Sequence, residues 1–198
     1  MDPKLKEGLD PALEEKIKGL VDERIEEWAK TKLFSILEKK PTKKKGRLAI
    51  IVSKGTLEAA YPPLILATTA IALNMEVGIF FTFFGLHILK KGSAETLKFV
   101  PLGNPATPMP MPNIISALPG MTELATVMMK KTISKKNITS VPELLNLAKE
   151  TGVTLWPCNM TMEMMGIKYS DLIDGLAEPV GAATFLSYAK DSDISLFI

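Results

Sequence analysis

The chain has 198 residues, 46% of them hydrophobic and 23% charged, with a formal net charge of +2 and a single cysteine. That is material for one packed domain plus an appendage, and the small charge, with no alternation of basic and aromatic residues, argues against a nucleic-acid surface. One cysteine excludes an intramolecular disulfide and CxxC redox or zinc motifs, so a reducing, cytoplasmic compartment is expected, and Met1-Asp2-Pro3-Lys4 lacks the apolar core of a signal peptide.

Residues 10 to 38 read as one long amphipathic helix. Asp10 serves as cap, Pro11 fits the first turn, and Leu13, Ile17, Leu20, Val21, Ile25, Trp28, Leu33, Ile36 and Leu37 recur at three- and four-residue steps. Such a stripe needs a partner surface, either the chain's own globular part or the same helix in another subunit. Residues 39 to 47 then hold six basic residues in nine, with Pro41 and Gly46, and read as a solvated hinge.

From Arg47 the pattern changes to alternating strand and helix. Leu48-Ala49-Ile50-Ile51-Val52 is a short β-branched run of the kind buried on both faces of a parallel sheet, and Ser53-Lys54-Gly55-Thr56 turns it into a helix over 57 to 73. Val77 to Phe84 reads as a second strand, and Gly85 opens a short helix through Lys91. The apolar stretch from Pro63 to Leu89 is broken by Asn74 and Glu76 into pieces too short to span a bilayer, which predicts a buried helix followed by a buried strand and no membrane span. Residues 99 to 113 carry five prolines with Met109 and Met111 and predict a long irregular loop.

Helices follow over 121 to 131 and 141 to 151, the second opened by a capping box of Ser140 and Glu143 with Pro142 in its first turn, and stopped by Gly152. A third strand spans 153 to 156, a helix runs from Cys158 to Gly166, 171 to 175 reads as a helical turn, 180 to 190 as a helix, and 194 to 198 as a terminal strand. Strands alternating with helices imply a parallel sheet covered on both faces, with ligand sites at the carboxyl ends of the strands.

Cys158 lies at such an end, where Thr154-Leu155-Trp156-Pro157 gives way to Asn159-Met160-Thr161-Met162-Glu163-Met164-Met165. A thiol in the first turn of a helix faces unpaired N–H groups and the positive end of the helix dipole, and both favour the nucleophilic thiolate. The competing reading is a small buried hydrophobe. Asn159 and the first turn are assigned to thiolate stabilisation and Met160 to adaptable apolar surface around the sulfur. Met160 and Met164 share one helical face, so only part of the methionine set can line a site.

The order and spacing of several blocks from Arg47 to Ile198 resemble the DsrE/DsrF-like family, in particular its larger branch often labelled peroxiredoxin family protein. The blocks are Leu48-Ala49-Ile50-Ile51-Val52-Ser53-Lys54-Gly55, Phe80-Phe81-Thr82-Phe83-Phe84-Gly85-Leu86, Cys158-Asn159-Met160-Thr161-Met162-Glu163-Met164-Met165-Gly166-Ile167, Leu172-Ile173-Asp174-Gly175, Gly181-Ala182-Ala183-Thr184-Phe185-Leu186 and Ser195-Leu196-Phe197-Ile198. The resemblance implies a flavodoxin-like three-layer α/β domain over 47–198 with a mostly parallel sheet, behind an N-terminal helix and basic linker over 1–46. It also implies a homo-oligomer that relays sulfur, with Cys158 carrying sulfane sulfur as a persulfide and TusA-like carriers or rhodanese-type proteins as partners, and within it Lys54 and His87 are expected at the edges of the Cys158 pocket; no cofactor or metal is expected. Pro157 stands where smaller residues are usual, and residues 1–46 fall outside the shared region.

Other chemistries fit less well. Peroxiredoxins place a threonine three residues before the peroxidatic cysteine, whereas Thr154 is four before Cys158 and no arginine is near. A soft-metal site would combine Cys158, methionines and the lone His87, but no spacing forces them together. A flavin or nucleotide module would place an anion on Ser53-Lys54-Gly55-Thr56, although glycine and serine are expected in any strand-to-helix turn. From another class, a noncatalytic oligomeric binding protein would dock partners through the long helix and the methionine-rich loop.

Overall fold

The computed structural model describes residues 10–38, 45–100 and 118–198. The chain divides into two compact units, Met1–Lys44 and Lys45–Ile198. In the first, α1 spans Pro11–Glu38 and opens as its sequence dictates, with Asp10 Oδ1 accepting the Ala12 N–H at 3.2 Å. Its stripe residues Leu13, Ile17, Leu20, Val21, Ile25 and Trp28 are exposed.

The second unit is an α/β layered domain. β1 (Arg47–Val52), β2 (Glu76–Phe81), β3 (Thr154–Pro157) and β4 (Ile194–Phe197) form one sheet in the order β3-β2-β1-β4, and every neighbouring pair is parallel. The register sets Ile50 beside Ile79 and Leu196, and Phe81 beside Pro157. Because strand side chains alternate between faces, the apolar runs split cleanly. Ile50, Val52, Ile79, Phe81 and Leu155 enter the larger core, with Leu64 of α2 (Leu57–Ala72) and Leu144 of α4 (Val141–Glu150). Ala125, Met129 and Ile133 of α3 (Met121–Lys135) pack against the same core.

The opposite face is smaller and aromatic. Ala49, Phe80 and Cys158 pack beneath Phe185, the one buried side chain of α6 (Ala182–Ala189), with Trp156 and Tyr188 around them. Phe185 stacks on Phe80 at 4.9 Å between ring centroids, and Trp156 meets Tyr188 edge-on at 4.9 Å. Gly78 makes that contact possible, since a Cβ there would run into the rings of Trp156 and Tyr188. The flavodoxin-like arrangement expected from the sequence, helices on both faces of a parallel sheet, is the one observed.

Boundaries move where tertiary hydrogen bonds override local pattern. The second strand stops at Phe81 instead of Phe84, because Phe83 has φ 47° and begins a 3-10 helix, Phe83–Leu89, in place of the helix expected from Gly85. α3 runs on to Lys135, four residues further than its pattern indicated. The turn expected over 171 to 175 is a 3-10 helix at Tyr169–Asp171, after which Leu172 bridges Lys90. α6 is shorter than 180 to 190 because Val180 is held as a bridge partner of Cys158. The basic hinge from 39 to 44 and most of the proline-rich loop lie outside the described residues.

Candidate functional site

Cys158 ends the third strand and caps α5 (Asn159–Met165). Its backbone is extended, at φ −77° and ψ 116°, as an N-cap requires, so the helix starts one residue later than the sequence suggested. Main-chain bonds fasten the position on both sides. Cys158 N donates to Phe81 O at 3.0 Å, Asn159 N donates to Val180 O at 3.1 Å, and Val180 N donates to Pro157 O at 3.0 Å. Gly166, at φ 64°, closes the helix.

The thiol is 5% exposed and shares its cluster with Ala49, Phe80 and Phe185. Burial of this kind pushes a thiol up. Here it is outweighed by the hydroxyl and amide of Thr161, the hydroxyl of Thr82 and the amide of Met160, and the net direction is down from the ordinary value. Cys158 makes no side-chain capping hydrogen bond, and these groups favour its charged form. Thr161 is buried, its Oγ1 lies 3.2 Å from Thr82 Oγ1, and it accepts the Phe83 N–H at 3.0 Å.

Neither threonine was singled out from the sequence. Thr161 carries a signal in its spacing, since the residue three after an N-cap places its amide over the cap side chain. Thr82 becomes visible only when the register sets Phe81 beside Pro157 and thereby brings the next residue to Cys158.

The other sequence-derived site residues are distributed unevenly. Met160 is 71% exposed and Met164 58%, while Met162 turns into the larger core; Phe83 and Phe84 are exposed on the 3-10 helix. Asn159 turns its carboxamide to its own helix, its Oδ1 accepting the Met160 N–H at 2.7 Å, and is not among the groups that lower the thiol. Lys54 and His87 are exposed, the first in the turn after β1 and the second in the 3-10 helix after β2. A Cβ on Gly55 would collide with Phe84 O and come within 3.3 Å of His87 Cβ, so the 3-10 helix carries His87 against the Ser53–Thr56 loop.

That loop is a poor cradle for an anion. Ser53 N and Oγ both donate to Ile198 O, at 2.8 and 3.0 Å, Gly85 N donates to Ser53 O, and Leu57 N donates to Lys98 O. Glu58 sits in the first turn of α2, accepting the Thr56 hydroxyl at 2.7 Å, where an anionic ligand would meet a like charge. Among the described residues no three His, Cys, Asp or Glu side chains gather as a metal cluster, and no helix is long and apolar enough to cross a membrane. A cleft of about 610 Å³ lined by Tyr61, Lys130, Ser140 and Glu143 includes none of the residues around the thiol.

The parallel α/β domain thus sets its one thiol at a strand end and at the N-cap of a helix, among groups that favour the thiolate. The chain belongs to the DsrE/DsrF/DrsH-like family, whose model matches residues 44–197. It is 46% identical over 158 residues to the Sulfur carrier protein DsrE2 of Allochromatium vinosum, covering 77% of this chain and 98% of that one. It is 30% identical over 167 residues to the Uncharacterized protein YrkE of Bacillus subtilis, covering 79% of this chain and 99% of that one. Among solved structures, the ychN protein of E. coli aligns with a TM-score of 0.46 at 14% identity, over 77% of this chain and 99% of that one. Both curated relatives are matched over nearly their whole length, and neither alignment spans all of this chain.

Proposed function

We propose that this protein carries sulfane sulfur as a persulfide on Cys158 and passes it to or from TusA-like or rhodanese-type partners. The observation that carries the reading is the thiol itself, held at the end of β3 with hydroxyl and amide donors that favour the thiolate. The extensive identity to a protein named as a sulfur carrier supports it.

In the loading step the Cys158 thiolate attacks the outer sulfur of a donor persulfide. A bond forms between Cys158 Sγ and that sulfur, the donor's S–S bond breaks, and its electron pair leaves on the donor's inner sulfur, which takes up a proton. The transferred sulfur keeps its oxidation state, so no external oxidant or reductant is consumed. Hand-over is the same displacement in the other direction, with the partner's thiolate as nucleophile.

Thr161, Thr82 and the first-turn amides stabilise the leaving thiolate of Cys158 as well as the attacking one. Burial at 5% exposure shields the persulfide from bulk reductant between the two steps. The exposed side chains of Phe83, Phe84, Met160 and Met164 supply the soft apolar surface on which a partner's sulfur-bearing segment is received.

The test is intact mass after incubation with a low-molecular-weight persulfide. The wild type gains one sulfur atom that a reducing thiol removes, and Cys158→Ser gains none. Equal labelling of both proteins overturns the assignment.

A further inference from the structure

Helical threonines ordinarily spend their hydroxyl proton on the carbonyl four residues back. Thr68, Thr69, Thr126 and Thr132 do so, donating to Leu64 O, Ile65 O, Thr122 O and Met128 O at 2.6 to 2.9 Å. Thr161 does not follow them. The carbonyl four residues before it, Pro157 O, accepts the Val180 N–H, and the Thr161 oxygen instead receives the Phe83 N–H at 3.0 Å and stands 3.2 Å from the Thr82 hydroxyl.

A hydroxyl oxygen accepts two hydrogen bonds and donates one. The Phe83 N–H occupies one lone pair of Thr161, and in the contact with Thr82 either hydroxyl can be the donor; when Thr82 donates, both acceptor positions of Thr161 are filled and its own proton is left for the sulfur. Thr161 lies three residues after the helix cap and Thr82 directly follows the residue whose carbonyl receives Cys158 N–H, so both border the Cys158 side chain.

The backbone shows what holds the arrangement. Phe83 is a bulky residue in the left-handed region, φ 47°, which costs energy for any side chain with a Cβ. That conformation starts the 3-10 helix and brings the Phe83 N–H onto the Thr161 oxygen.

We propose that Thr82 donates to Thr161 and that Thr161 is a positioning residue, its lone pairs occupied by the Phe83 N–H and the Thr82 hydroxyl so that its proton is directed onto the Cys158 sulfur, with Thr82 acting on the sulfur through it. This deepens the sulfur-carrier reading, since it says how the thiolate is prepared, and it rests on Cys158 being the sulfur-bearing group. The lowered thiol, with the Thr161 hydroxyl foremost among the groups that lower it, agrees with the placement.

The experiment follows native-state alkylation of Cys158 by iodoacetamide across pH in the full chain, with the midpoint read as the thiol titration. Thr161→Val is close in shape and lacks the hydroxyl, and it raises the midpoint by about one pH unit, a tenfold smaller thiolate fraction at any pH well below it. Thr161→Ser keeps the hydroxyl and restores the wild-type midpoint within a few tenths. Thr161→Ala removes the hydroxyl without bulk and gives the same upward shift if the valine variant does not fold, with cooperative thermal unfolding establishing which variants are folded. A folded Thr161→Val or Thr161→Ala with the wild-type midpoint, or a serine variant shifted as far as valine, overturns the proposal. These outcomes are read on the thiol alone. Failure of the wild type to take up sulfur would sink the carrier reading while leaving the midpoints to judge the positioning of Thr161.

Discussion

Phe185→Ala is the sharpest probe of the sheet face that holds the thiol. Phe185 is 2% exposed, stacks on Phe80 at 4.9 Å and meets Trp156 edge-on at 5.9 Å. Losing its transfer free energy, its ring contacts and the volume it fills falls in the range of about 3–5 kcal/mol for buried phenylalanine truncations. The structure favours the lower end. Phe185 is the one buried residue of an eight-residue helix, so α6 can settle toward the sheet and close part of the void. We expect about 3 kcal/mol. Urea denaturation followed by tryptophan fluorescence reads the loss, because Trp156 lies in the same cluster. Since Cys158 also packs there, native-state alkylation should accelerate in the variant. A loss under about 1 kcal/mol with unchanged alkylation would refute the claim that α6 covers the thiol's face of the sheet.

Three further outcomes follow from local geometry. Ser140 and Glu143 form a reciprocal capping box at the start of α4, which holds the Glu143 carboxyl below its usual range, so Ser140→Ala should cost about 1 kcal/mol in denaturant unfolding. The folded state lowers the Cys158 thiol, so wild type should gain stability over Cys158→Ala as pH rises from the folded midpoint toward the ordinary thiol range and lose it as pH falls through that midpoint; a flat difference across about pH 6 to 9.5 contradicts the lowered thiol. Removal of residues 1–44 should leave 45–198 folded with a cooperative transition by circular dichroism, because that unit contains both cores, and loss of the transition would contradict the division.

Strands β1 and β3 and helix α4 were legible because their signals are local: a β-branched run, a short apolar segment after a glycine stop, a capping box. The end of β2 was not. Val77 to Phe84 reads as one strand, and only the bonds from Phe83 N to Thr161 and from Gly85 N to Ser53 O, with partners remote in sequence, break it at Thr82. The site divided in the same way. Cys158 announced itself as the sole thiol at a strand-to-helix junction and Thr161 had a local spacing signal, whereas Thr82 depends on which strands are neighbours. Lys54 lies just past the end of β1, whereas His87 lies inside the 3-10 helix that replaces the end of the expected second strand, and sequence order alone does not say which of these segments meet.

The measurement that bears most directly on the account is single-turnover discharge. Protein loaded at Cys158 and freed of excess donor is mixed with a small acceptor protein bearing one reactive thiol, and both masses are followed together. The account predicts that the acceptor gains the sulfur atom as this protein loses it, with nothing transferred from Cys158→Ser treated in the same way. A sulfur that stays on Cys158 until it is lost as free sulfide, with none reaching the acceptor, would contradict it.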